Sequence, residues 1–169
     1  MTRGADAERE FHEFVVARTP ALSRTAYLLT GDHHLAEDLV QASLFKAAKA
    51  WHRIEGDPEP YVRRILYTEN VSWWRRRKQA REFPVAEHAE RAGAAYDDDL
   101  RMTLETALSQ LTAKQRSVLV LRYYEDLTEV QTAAVLGIGV GTVKSMTRQA
   151  LGRLRTLAPH LAELVGEPA

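Results

Sequence analysis

The chain balances 23 Lys and Arg against 23 Asp and Glu in 169 residues, and with 45% hydrophobic and 27% charged residues it has the composition of a globular protein. It contains no cysteine, which excludes a disulfide framework, a thiolate zinc site and a cysteine nucleophile. Charges in the first residues oppose a signal peptide, and no run approaches the ~18 apolar residues of a membrane span, so a cytoplasmic protein is expected.

Taken in chain order, apolar residues recur at helical spacing almost throughout, and no run shows strand alternation. The pattern predicts a helix near 8–29 broken at Thr19-Pro20, read as an N-cap followed by a first-turn proline. Asp32 then caps a helix near 33–52, and a third helix runs near 60–81 after the breaker IEGDPEP. Residues 83–100 are acidic and poor in large apolar side chains, as a linker would be. Helices resume near 100–111, 113–125, 129–136 and 141–157, with Thr112-x-x-Gln115 and Thr128-x-x-Gln131 both fitting the capping box. The expected fold is therefore all-α: two small helical modules, 1–82 and 101–169, joined by the acidic linker.

Charge follows the same division. The blocks 1–60, 61–82, 83–100 and 101–169 carry net charges of −3, +5, −4 and +2. Solvated helix faces account for any one block, but two basic blocks parted by an acidic one point to polyanion binding at two places.

The second basic block contains a helix-turn-helix pattern. Gly137 can take the left-handed position that ends the 129–136 helix, and the next helix has an apolar face of Val143, Met146, Ala150, Leu154 and Leu157. Its other face presents Thr142, Lys144, Ser145, Thr147, Arg148 and Gln149, with no acidic residue between 142 and 155. In such motifs the start of the second helix enters the major groove, where Lys, Arg and Gln read base edges and Ser and Thr hold phosphates.

The first basic block has different chemistry. YVRRILYTENVSWWRRRK interleaves Tyr67, Trp73 and Trp74 with Arg63, Arg64, Arg75, Arg76, Arg77 and Lys78, a combination that stacks unpaired bases and holds the backbone of a single strand. Trp73 and Trp74 point about 100° apart on a helix, so one face cannot bury both. The sequence leaves open which of the two is buried; Trp74 is counted with the strand contacts, and Trp73 is the core candidate.

The order of these parts resembles the extracytoplasmic-function sigma factors of bacterial RNA polymerase, and among them the actinobacterial SigE-like group. The resemblance is carried by AEDLVQ (36–41), by Trp51 with Tyr61-Val62-Arg63-Arg64, by SWWRRR (72–77) and by GVGTVKS. It implies a sigma-2-like and a sigma-4-like module whose partners are core RNA polymerase and promoter DNA. Asp38 and Gln41 would meet the clamp helices of the β′ subunit, and the β flap would take the C-terminal module. Ile54 in the 53–57 loop, Tyr67, Asn70, Trp74, Arg75, Arg76 and Arg77 would take the −10 strand. Thr142, Lys144, Ser145, Arg148 and Gln149 would take the −35 duplex, and an anti-sigma factor is a further partner of the kind the family has. No catalytic residue, metal or cofactor is expected. The sequence departs from the common family pattern at Ala42, where many members have an acid, at Ile54, where many have Phe, and at Gln149, commonly Arg.

Two other readings compete. GTVKS also resembles the recognition helix of LuxR-type regulators, but these need a ligand or receiver domain in front, and 1–82 has no strand pattern to build one. His33, His34, Glu37 and Asp38 offer metal-like spacing, but such residues at a helix start more often form a solvated first turn.

Overall fold

The structure, a computed structural model, describes residues 2–80 and 96–159; most of the linker, 83–95, lies outside the described residues. The described residues form α1 (Thr2–Thr30), α2 (His33–Ala50), α3 (Glu59–Ala80), α4 (Tyr96–Ser109), α5 (Ala113–Leu119), α6 (Glu129–Leu136) and α7 (Val140–Leu157), with no strand among them.

Local signals set most helix ends. The Asp32 carboxylate accepts the Leu35 N–H at 3.0 Å and so starts α2. Both capping boxes are closed in each direction: Thr112 with Gln115 opens α5, and Thr128 with Gln131 opens α6. Gly137, at φ +67°, ends α6 in the left-handed conformation that a Cβ would strain.

Three expectations are corrected. α1 does not break at Pro20; the helix runs through it, and the Thr19 hydroxyl donates back to the Val15 carbonyl at 2.5 Å instead of capping a new start. The exposed Val16 stands one turn before the proline, where solvent can serve the carbonyl that the proline leaves unbonded. α4 begins at Tyr96, four residues before the start expected near 100. The helix predicted over 113–125 changes pitch at Val120, where Val120–Tyr124 form a widened π turn that ends at Glu125 and at Asp126, φ +54°.

The two modules pack on each other. Leu22, Ala26, Leu29, Leu39, Val40, Val62, Leu66 and Tyr67 from α1–α3 share one buried cluster with Val120 and Leu121, and Leu127, Val135 and Leu136 pack against it. The C-terminal module also has apolar clusters of its own: Leu108, Leu111, Leu119 and Ala150 in one, and Val118, Ala133 and Val143 in another.

Candidate nucleic-acid interface

The recognition helix α7 is fixed from below and open above. Val143 and Ala150 are fully buried, Met146 and Leu154 half-buried, while Leu157, expected on the same face, is largely exposed at the helix end. Thr142, Lys144, Ser145, Arg148 and Gln149 are all exposed on the other side. Thr147 is half-buried because its hydroxyl donates to the Val143 carbonyl at 2.8 Å, inside the helix. The face is not wholly free of acid: Glu129, in the first turn of α6, comes within 3.7 Å of the Lys144 ammonium. Both groups are solvated, so the pair is weak and a phosphate can displace it.

Asp38 and Gln41 lie on the outer side of α2, both exposed, one turn apart. Phe45, a further turn along, is exposed with the Lys49 ammonium 4.3 Å from its ring centre. The neighbouring His33 stacks on Tyr27, with ring centres 4.4 Å apart.

The residues expected to meet an unpaired strand separate into two groups. Arg75 and Arg76 are exposed, and Ile54 is half-buried at the loop between α2 and α3. Tyr67 and Asn70 are instead buried, at 0% and 1% exposure, and Tyr67 packs with Val120 and Leu121 of the C-terminal module. Tyr67 lines a small cavity of about 160 Å³ with Val71 of α3, Lys114 of α5 and Leu136 and Ile138 of the helix-turn-helix. Among the described residues, neither the Tyr67 hydroxyl nor either amide atom of Asn70 has a hydrogen-bond partner. Burial also pushes the Tyr67 phenol pKa above its ordinary value.

Both tryptophans are half-buried. Trp74 packs into the contact between modules, its indole N–H buried and the Arg116 guanidinium 5.2 Å from its ring, while Trp73 meets it edge-on at 4.7 Å. Arg77 lies over both rings, at 5.1 and 5.9 Å. Arg63 is likewise engaged within the protein, 3.1 Å from the Glu125 carboxylate and 3.6 Å from Glu59.

Sequence reasoning placed Arg53 in the 53–57 loop and Arg64 in the basic block but did not single out Tyr61 as a contact. Arg53, Tyr61 and Arg64 line an open groove of about 610 Å³ with Ile54, closed on one side by Ala134 and Val135 of α6. Tyr61 and Arg64 stand three apart at the start of α3, a spacing that puts an aromatic and a cation on one helix face beside the loop. Arg116 was also missed. It is 4% exposed and donates to the carbonyls of Leu108 (2.9 Å) and Leu111 (3.2 Å) and to that of Leu29. Leu29 and Leu108 belong to the last turns of α1 and α4, at the negative end of the helix dipole, and the Leu108 carbonyl also accepts the Leu111 N–H at 3.1 Å. Burial without a carboxylate lowers the Arg116 pKa to about 10. Among the described residues no three acidic, histidine or cysteine side chains gather as a metal site, and no helix is long and apolar enough to cross a membrane.

Comparison with known proteins agrees with this geometry. Residues 14–80 match the family described as Sigma-70 region 2, and 107–156 match Sigma-70, region 4. The chain is 38% identical over 159 residues to the RNA polymerase sigma-E factor of Streptomyces coelicolor, covering 86% of this chain and 84% of that one. It is 33% identical to the extracytoplasmic-function sigma factor SigL of Mycobacterium tuberculosis over 83% of this chain and 84% of the relative. Among solved structures it is similar to the sigma factor RpoE of Bartonella quintana in complex with the anti-sigma factor NepR, with TM-score 0.68 and 30% identity over 90% of this chain and 98% of that chain. The region 2 match fills the place where a LuxR-type regulator would carry its input domain, so that alternative falls. Two regions in the family's order and whole-length relatives at this identity place the chain in the extracytoplasmic-function group of the sigma-70 family of RNA polymerase sigma factors.

Proposed function

We propose that this protein gives core RNA polymerase its promoter specificity through two separate readers and performs no covalent chemistry itself. α7 enters the major groove of the −35 element, where Lys144, Arg148 and Gln149 face base edges and Thr142 and Ser145 face phosphates. Asp38 and Gln41 dock on the β′ clamp helices, and the C-terminal module meets the β flap. The −10 strand is taken by Ile54, Tyr67, Asn70 and the Trp74-Arg75-Arg76-Arg77 run. A base must leave the stack before its pairing edge can be read, so this module favours melted DNA by binding it preferentially. The protein works in the cytoplasm, where polymerase and promoter are. The RpoE complex supports an anti-sigma factor as a third partner.

The observation that carries this reading is the recognition face of α7: five polar or cationic residues exposed on a helix whose opposite side is packed into its own module. The test is transcription by core polymerase on fragmented genomic DNA of the source organism, with and without the chain. Defined start sites that share a −35 sequence and appear only with the chain are expected. Starts that are unchanged by the chain would overturn the reading.

A further inference from the structure

Beside the recognition face of α7 stands a carboxylate that belongs to the other helix of the motif. Glu129 opens α6 directly after the Thr128 cap, and the capping box with Gln131 fixes that turn. Ala133 of α6 packs with Val143 of α7, which holds the two helices in register. The Glu129 carboxylate lies 3.7 Å from the Lys144 ammonium, and the two side chains are 35% and 59% exposed. Arg148, one turn further along α7, is exposed and has no carboxylate partner among the described residues. An acid at a helix start suits the dipole of α6, but that role requires no cation opposite it.

The pairing matters for what Lys144 does on DNA. When the second helix of such a motif enters the major groove, the first crosses the backbone, which brings the start of α6 beside phosphates. A lysine on its flexible stem is a point charge that follows the nearest anion, and a phosphate contact carries no sequence information. Glu129 weighs against that contact twice. It offsets the charge of the ammonium, so Lys144 adds little to sequence-independent attraction, and it repels the phosphate that the lysine would approach. An ammonium has three donors. With one turned to Glu129, two are left for the O6 and N7 acceptors that guanine presents together in the major groove.

We propose that Glu129 is a specificity-determining residue of the duplex reader: it positions the Lys144 ammonium for a guanine edge and keeps it off the phosphates. The inference rests on the reading of α7 as the −35 helix. The pair is weak because both groups are solvated, yet a weak bias is enough to tilt a choice between two anionic partners that lie within reach of one side chain.

The test uses the full chain assembled with core polymerase, and competitive binding to promoters that vary one −35 position at a time. The wild type is expected to prefer guanine at one position, and Lys144→Ala to lose that preference. Glu129→Ala should raise affinity for promoters with the other bases there about threefold and leave the guanine promoter within about twofold. It should also steepen the dependence of log affinity on log salt by about one, because Lys144 becomes a phosphate contact. Glu129→Asp keeps the charge and should keep the preference. In the Lys144→Ala background, Glu129→Ala should change neither preference nor slope. A role for Glu129 confined to the helix dipole would lower the melting temperature and move none of these readouts. Glu129→Ala that shifts every promoter by one factor, or that acts as strongly without Lys144, would overturn the inference and leave α7 as the reader. A Lys144-dependent preference for a base other than guanine would overturn it too. A wild type that distinguishes no base at any −35 position would overturn the reading of α7 and the inference together.

Discussion

The two basic regions of this molecule differ less in composition than in what lies over them. On α7 the cations and amides stand exposed on a packed helix, whereas on α3 the aromatic and amide groups that suit a single strand are buried, Tyr67 against Val120 and Leu121 of the other module. One surface is ready for duplex DNA as folded. The other is covered, and among the described residues the buried polar atoms of Tyr67 and Asn70 have no hydrogen-bond partner. Accessibility, and not residue type, separates the two, and it is set by contacts that join residues far apart in the chain.

The largest way to break this contrast is through the shared core. Leu121 comes from the C-terminal module but is fully buried in the cluster of α1–α3. Leu121→Ala should cost on the order of 2–5 kcal/mol in urea unfolding and expose both modules. Arg116→Met should cost about 3 kcal/mol in the same measurement, since the methionine cannot bond the Leu29 and Leu111 carbonyls and leaves that of Leu108 only its bond from the Leu111 N–H. Arg116→Lys should recover only part of that loss, because one ammonium cannot span three carbonyls as a guanidinium fork does.

Smaller effects sharpen the contrast on the open face. Arg148→Ala or Gln149→Ala should relax preference at one −35 position at a cost of roughly 1–3 kcal/mol in competitive duplex binding, with melting temperature unchanged. Lys144→Ala distinguishes base reading from phosphate binding: uniform weakening across sequences marks a phosphate contact, a change at one position a base contact. The smallest effect on the fold is expected from Asp38→Ala/Gln41→Ala. Stability should stay within about 0.5 kcal/mol because both side chains are exposed, while co-purification with core polymerase should fall.

The sequence made the open face legible and the covered one not. The capping boxes at Thr112 and Thr128, the Gly137 turn and the alternation of buried and exposed residues along α7 are local, so spacing reveals them. Thr19-Pro20 misled because a cap and a proline accommodated inside a long helix share the same two letters, and only the bond from Thr19 to Val15 distinguishes them. The start of α4 misled similarly: an acidic run suits a linker and also a helix start. The burial of Tyr67 and Asn70, the pairing of Trp74 with Arg116 and the reach of Glu125 to Thr25 all depend on how the two modules meet. No periodicity along α3 encodes that meeting.

Hydroxyl-radical footprinting of the tyrosines, read by mass spectrometry, tests the central contrast most directly, because the chain supplies its own references. Tyr61 and Tyr123 are 41% and 52% exposed, and Tyr67 is 0% exposed on the same fold. The account predicts that in the free chain Tyr61 and Tyr123 are modified readily and Tyr67 is not. Modification of Tyr67 in the free chain at the rate of Tyr61 would contradict it.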